Sequence, residues 1–370
     1  MIKCPTSALA AAPAASLPDN GDILRGILLR LPPLPSSLPR ASLVSKLWCR
    51  VVSDPCFRRN FRAHHHKTPP LLGFFFDDFG FELQSCRYVF TPTLDAPDRI
   101  PPERFSCPTK GSLLGFRHGL ALLKCGLKAV VWDPVTNFQC SIDFPPEFNV
   151  NHNVRIYNGA VTRYSASSSA FRLVMVFYGV LERIMCASVY DSESGKWGEI
   201  ISTQTFSDIC KPSVMVGNKL YFLIRHRRNS SFLQFDLDSP SMAVIQMSED
   251  IPIPERSHVQ ALRTQDGGLG FAVVSKHIMQ LWGKTTISGG GNVVRGELQK
   301  IVELDQLLSL RPSTNVHESS VIGYDEATNT IFLWTTMGVF MIQLDSMKFT
   351  KVSEDTCIRR YFPFASFYPW

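Results

Sequence analysis

Apolar residues follow two different rhythms along this chain of 370 residues. Between Leu17 and His66 they recur every three or four positions. From about Leu71 they come in short runs separated by turn residues. In the first stretch Ile23, Ile27 and Leu31 form one helical row and Leu24 and Leu28 the adjoining one, which predicts an amphipathic helix with a broad apolar stripe. Pro32-Pro33 stops it. Pro39 suits the first turn of a second helix, on which Ala41, Val44 and Trp48 share a face. Asp54-Pro55 then reads as the cap and first position of a third helix carrying Phe57 and Phe61. A three-helix unit of this length sits near the lower size limit for independent folding, roughly 40–60 residues. Part of its apolar surface is therefore expected to face another protein.

The second rhythm belongs to strands. Runs such as Leu71–Phe76, Leu120–Leu123, Ala129–Trp132, Phe171–Val180, Lys219–Ile224, Gly270–Val274 and Ile331–Thr335 lie between Gly, Pro, Asn and Asp clusters. One local pattern recurs, in which an apolar strand ends at Asp, a turn follows and another strand begins. It appears at Val131-Trp-Asp-Pro-Val-Thr-Asn137, Val189-Tyr-Asp-Ser-Glu-Ser-Gly195, Gln234-Phe-Asp-Leu-Asp-Ser239 and Met341-Ile-Gln-Leu-Asp345. The widest gap leaves room for one degenerate copy around Phe271–Glu303. Units of about 45–50 residues suit four-stranded propeller blades, and residues 68–370 accommodate about six of them. The predicted class is thus multidomain α + β, three helices followed by an all-β, propeller-like and divergently kelch-like domain. The double glycine of kelch strands is absent, and a pair of β-sandwiches is the competing architecture. Leu298–Leu310 is the one place where a short helix is expected between strands. Eight of the last ten residues are Phe, Tyr, Trp or Pro. This tail is too apolar to be solvated, so Phe364–Tyr368 is predicted to pair with Leu71–Phe76 and close the domain, with Pro363 and Pro369 as brackets.

Composition adds limits. A 45% apolar and 19% charged chain supports a large core and excludes wholesale disorder. No uninterrupted apolar window reaches the ~18 residues of a membrane span. Net charge is +6, of which residues 1–67 contribute +7. These charges alternate with apolar positions instead of clustering, so an acidic protein partner fits them as well as nucleic acid does. None of the ten cysteines forms a C-x-x-C pair. Their wide spacing reads as reduced thiols in the cytoplasm or nucleus. Residues 1–16 are expected to be a flexible Ala/Pro-rich leader, followed by the helical unit at 17–66 and the β domain at 67–370.

Candidate chemistry is sparse. Three consecutive histidines, His64 to His66, point about 100° apart on a helix and cannot converge on one metal ion; they read as a solvated helix end. Trp132, Trp197, Trp282 and Trp334 read as blade packing. Gly267-Gly268 and Gly289-Gly290-Gly291 read as turns, since neither opens a helix with Lys-Ser or Lys-Thr behind it. Arg225-His226-Arg227-Arg228 reads as a hairpin tip. No nucleophile elbow, zincin helix or carboxylate pair appears. No cofactor, metal or catalytic residue is expected.

The residues at the amino-terminal end carry a resemblance. Leu17-Pro-Asp, Ile27-Leu-Leu-Arg-Leu-Pro32, Arg40-Ala-Ser-Leu-Val-Ser-Lys-Leu-Trp48 and Val52-Ser-Asp-Pro-Cys-Phe57 resemble an F-box, with Ser45 where many members have Cys. Pro69-Pro-Leu-Leu-Gly-Phe-Phe-Phe76, Phe116-Arg-His-Gly-Leu-Ala-Leu-Leu123 and Val131-Trp-Asp-Pro-Val-Thr136 are similar to segments of plant, particularly grass, F-box proteins. The resemblance implies a substrate-recognition subunit of a Skp–cullin–F-box ubiquitin ligase, involved in protein degradation. Such a subunit docks on a Skp-type adaptor and through it a cullin scaffold, and its β domain holds an unknown target protein. It implies adaptor-binding roles for Leu17, Pro18, Ile23, Leu24, Ile27, Leu28, Leu31, Pro32, Val44 and Trp48, no enzymatic activity, and neither nucleic acid nor membrane as partner. A propeller-type small-ligand receptor or enzyme, its turnover controlled through the F-box, is the alternative.

Overall fold

The computed structural model describes residues 21–65, 69–78, 87–149, 154–164, 168–179, 184–205, 208–209, 211–226, 229–248, 251, 253, 258–287, 293–308, 319–357 and 359–368. The leader, Leu17, Pro18, His66, Gly289 to Gly291, Arg227, Arg228 and Pro369 lie outside the described residues.

Where three helices are expected, the described residues hold four: α1 (Gly21–Leu29), α2 (Ser37–Ser42), α3 (Lys46–Ser53) and α4 (Pro55–His65). The second predicted helix breaks at Ser45, whose backbone is extended and whose Oγ accepts the Trp48 N–H at 3.3 Å. A serine satisfying a helix-start donor outcompetes helix continuation there. Asp54 does cap α4, accepting the Cys56 N–H at 2.9 Å. Its second oxygen meets Arg25 of α1 at 2.9 Å, and these two contacts hold the carboxyl below the usual range. Leu24, Leu28, Leu38, Ala41, Val51, Val52, Phe57 and Phe61 form the core of the bundle. His65 corrects the solvated-end expectation. It is half-buried, lies tilted against the Phe61 ring and bonds the Leu29 carbonyl at 2.9 Å, tying α4 to the end of α1.

The rest is a six-bladed propeller. Its first strands are β1 (Leu71–Asp78) and β2 (Arg87–Pro92). Blade one comprises β3 (Ser112–Arg117), β4 (Leu120–Cys125), β5 (Lys128–Asp133) and β6 (Phe138–Asp143). A one-turn helix, α5 (Pro146–Asn149), leads to blade two, with β7 (Val154–Arg163), β8 (Phe171–Gly179), β9 (Ile184–Asp191), β10 (Lys196–Trp197) and β11 (Ile201–Gln204). Blade three has β12 (Asp208–Ile209), β13 (Val214–Val216), β14 (Lys219–His226), β15 (Asn229–Asp236) and β16 (Ser241–Met247). Blade four, the degenerate copy, has β17 (His258–Arg263), β18 (Leu269–Ser275), β19 (Ile278–Ile287) and β20 (Val293–Glu303), then the short α6 (Leu304–Leu307) in the predicted place. Blade five has β21 (Ser320–Asp325), β22 (Thr330–Thr335), β23 (Gly338–Gln343) and β24 (Phe349–Ser353). Outer strands β16 and β20 pair in parallel and fuse blades three and four into one sheet.

The last strand, β25 (Tyr361–Ala365), pairs antiparallel with β1, which pairs with β2. Both chain ends of the β domain thus build one blade. The register runs from Leu71 opposite Ala365 to Phe76 opposite Tyr361. The strand therefore starts three residues earlier than predicted. Pro363 lies inside it, opposite Phe74, and does not bracket it. A proline is tolerated because, among the described residues, β25 is hydrogen-bonded on one edge alone. Its neighbours across the ring are β21 and β3, and this closure excludes the sandwich alternative.

Two sequence features explain the architecture. Successive strand residues face opposite sides, so Phe74 packs on Phe332 and Tyr361 towards blade five. Phe75 packs on Phe116 and Trp132 towards blade one. A blade covered on both faces needs the continuous apolar run that Leu71–Phe76 supplies. The recurrent aspartates sit at the same turn, between third and fourth strands, in blades one, two and three. Asp133 Oδ1 accepts the N–H groups of Val135 and Thr136, Asp191 Oδ1 those of Glu193 and Ser194, and Asp236 Oδ1 those of Asp238 and Ser239, all within 3.3 Å. Asn137 and Gly195 then take left-handed φ values of 58° and 69°, which suit Asn and Gly. Asp345 departs from this rule; its carboxylate bonds Asn329 instead, at 2.8 Å.

Candidate functional site

The helical module divides its predicted contact residues between core and surface. Leu24 and Leu28 are buried, while Ile23 and Ile27, one position earlier on α1, are 48% and 43% exposed. The α2–α3 connection exposes Leu43 by 85% and Val44 by 63%. Leu31 and Trp48 are half-buried against the core and Pro32 is exposed. Sequence reasoning missed Leu43, because continuing the second helix through Ser45 gave it no distinct place. The serine itself was the available signal for a break.

The module attaches at one face of the ring. The Ser36 N–H donates to Asp98 Oδ1 at 2.8 Å. Asp98 lies beyond β2, whose last residue pairs beside the start of β1, where β25 ends. The inner strands end together on this side. A Cβ on Gly119, just past β3, would lie 2.8 Å from Ser366 Oγ, just past β25.

Inside the ring, the inner strands enclose a channel cavity of about 570 Å³. A buried network spans it. Arg117, the last residue of β3, pairs with Glu326 just beyond β21, and its Nη2 also donates to the Ser213 carbonyl at 2.8 Å. Glu326 Oε2 accepts the Met215 N–H at 2.9 Å. One ion pair therefore joins blades one, three and five. The Arg117 charge and these hydrogen bonds hold the Glu326 carboxyl low despite its burial. Lys211 adds a second bond between blades three and five, donating to the Val321 carbonyl at 2.9 Å. Neighbouring Asp325 is desolvated and pushed up to about 6, against bonds from Thr328 that favour its charged form. The signal for this network was a single charged residue, Arg117, between the apolar runs of β3 and β4.

Opposite that network lie Asp77, Tyr88, Ser112, Arg359 and Arg360, at the starts of β3 and β25 and the end of β1. Burial raises the Asp77 carboxyl, countered by the Arg360 backbone N–H and the adjacent guanidinium charges. Arg359 is committed to Asp355 Oδ2 at 3.0 Å, to the Asp77 carbonyl at 3.0 Å and to the face of Phe76.

Other candidates resolve into structure. Trp132 and Trp282 are buried between blades, and Trp197 and Trp334 each donate an indole N–H to a backbone carbonyl, of Asp143 and Thr356. Gly267 is a turn at φ 81°. His226 and Asn229 pair as the last described rung of the β14–β15 hairpin. Among the described residues no group of three or more His, Cys, Asp or Glu is arranged to hold a metal ion, and no helix is long and apolar enough to cross a membrane.

A helical module with uncovered aliphatic side chains, joined to a closed six-bladed ring, is the arrangement of an F-box protein with a propeller. Residues 16–60 match the F-box domain family. Residues 124–369 match the family described as F-box protein AT5G49610-like, beta-propeller, and the chain belongs to this family. The match begins inside β4, so β1, β2 and β3 complete the ring from outside it. The chain is 22% identical to F-box protein At5g03970 of Arabidopsis thaliana, across 89% of this chain and 82% of the relative. Similar solved structures include the Dos1 propeller, 9% identical over 73% of this chain and 67% of that one with a TM-score of 0.38. Another is a chain of a nidogen/laminin complex, 10% identical over 78% and 96% with a TM-score of 0.40.

Proposed function

We propose that this chain is a substrate-recognition subunit of a Skp–cullin–F-box ubiquitin ligase. F-box domains generally bind Skp-type adaptors, and the observation carrying the reading here is the uncovered set Ile23, Ile27, Leu43 and Val44. Four large aliphatic side chains left in water by a well-packed small bundle suit a partner surface that removes them from solvent. The propeller then holds a target protein near the ubiquitin carrier, raising the local concentration of its lysines. The chain contributes no covalent chemistry of its own, and it works in the cytoplasm or nucleus, where its cysteines stay reduced.

The test is capture of a co-expressed Skp-type adaptor by the full chain. Ile27→Asp combined with Val44→Asp should abolish capture without altering far-ultraviolet dichroism. A folded double variant that captures adaptor as well as the parent overturns the reading.

A further inference from the structure

The channel has walls of one kind and a rim of another. Phe116 of β3, Ile322 of β21 and Pro363 of β25 line it and are only half-buried by their own protein. About 570 Å³ lies within the range of sites that take a compact ligand group. Two of the three wall strands are also irregular in the same way. β3 slips register against β4 between Leu113 and Gly115, and β21 slips against β22 between Val321 and Gly323. Each slip inserts one residue, Leu114 or Ile322, whose backbone groups leave the ladder. Gly115 and Gly323, next to these bulges, both line the cavity.

The cations of the lining are unequal. Arg117 is held by Glu326, Lys211 bonds the Val321 carbonyl, and Arg359 is held by Asp355. Arg360 is exposed at the rim, and among the described residues its guanidinium makes no hydrogen bond or ion pair; its charge acts on Asp77 without contacting it. Its planar fork is suited to a carboxylate. At the opposite end the Arg117–Glu326 pair spans the channel and limits how deep an occupant reaches.

From this juxtaposition we infer that the channel binds an extended peptide, one large apolar side chain seated between Phe116, Ile322 and Pro363 and an adjacent acidic residue on Arg360. A peptide carries the apolar group and the carboxylate on adjacent residues along one extended chain, a span that a small free carboxylate lacks. This inference rests on the propeller's being the substrate receptor and names the class of segment it takes. The rim lies at the starts of the inner strands, on the face away from the Ser36–Asp98 attachment, so a bound segment and a bound adaptor do not compete.

Fluorescence anisotropy on the full chain tests it, with a fluorescein-labelled Gly-Ser-Leu-Asp-Gly-Ser peptide as probe. Versions with Ser for Leu and with Lys for Asp, and free isocaproate as competitor, complete the set. Gly115→Leu fills the channel: a Cβ there meets only Pro212 Cβ, at 3.5 Å, and the backbone is not left-handed. We expect Gly115→Leu to weaken the Leu-Asp probe at least tenfold. Arg360→Glu, at an exposed position, should weaken it about tenfold and improve the Lys version. Adaptor capture and melting temperature should stay unchanged in both. Equal binding of the Ser version, or of the probe to Gly115→Leu and Arg360→Glu, overturns the inference. So does isocaproate matching the peptide in affinity, or no peptide binding by a chain that still captures adaptor. Peptide binding by a chain that fails to capture adaptor leaves this site standing and removes the ligase reading alone.

Discussion

The helical module and the closing blade start from similar raw material and treat it in opposite ways. Both are short segments dense in large apolar side chains. In the module Ile23, Ile27, Leu43 and Val44 stay in water, whereas in the closing blade Phe74, Phe75, Phe362 and Phe364 are all nearly inaccessible. The difference is one of neighbours. A four-helix unit of this size has too little interior for its apolar residues, while a blade is covered by two other blades and can bury both faces of every strand. Apolar density alone therefore does not tell core from interface; the number of elements available to cover it does.

Removing residues 361–370 should break this contrast most severely. It strips the inner strand from blade six, leaves the β1 edge unpaired and uncovers Phe75 and Phe332. We expect loss of cooperative unfolding in calorimetry and self-association on gel filtration, with adaptor capture intact. A truncated chain that stays monomeric and melts at the parental temperature would show that the ring closes without β25.

Next comes the network across the channel. Glu326→Gln leaves Arg117 buried without its counter-charge, which costs about 3–5 kcal/mol in such cases, read as a fall in urea midpoint. The folded pKa of Glu326 lies below its unfolded value. Its contribution is therefore present above the unfolded pKa of 4.5 and lost as pH falls through the folded value, so parent and variant should converge in acid.

On α1 the comparison can be made within one helix. Leu28→Ala should cost ~2–5 kcal/mol of stability as a core deletion. Ile27→Asp, one residue away, should change stability by under ~0.5 kcal/mol yet weaken adaptor binding about thirtyfold, worth ~2 kcal/mol. Equal destabilisation by the two would mean that Ile27 is core.

The smallest expected effect is at Asp325. Its folded pKa of about 6 lies above the ordinary carboxylate value of 3.8, so its charge disfavours folding, and this penalty appears as pH rises through that window. Asp325→Asn keeps an acceptor for Thr328 and should gain stability at pH 7, a gain that shrinks as pH falls towards 4.

Most of the architecture was legible because it is written in local, repeated signals. Apolar spacing separated helix from strand, and the recurring aspartate marked the same turn of successive blades because a carboxylate accepting two backbone N–H groups is a local device. The degenerate fourth blade could be placed by the gap between copies. Three things escaped. Ser45 ended a helix against its apolar period, because capping strength depends on the conformation the serine adopts. The start of β25 was displaced because a proline reads as a strand breaker until one knows that its edge is free. The Arg117–Glu326 pair joins residues more than two hundred positions apart, and no linear period reports such a contact.

A ring fastened by its two ends also imposes a timetable. β1 leaves the ribosome some 290 residues before β25, which at 5–20 residues per second means roughly 15–60 s. For that interval the helical module is already made while the sixth blade waits with an unpaired edge and bare phenylalanines. The helical module is thus complete long before the ring can close, and closure waits for the strand that ends at Ala365.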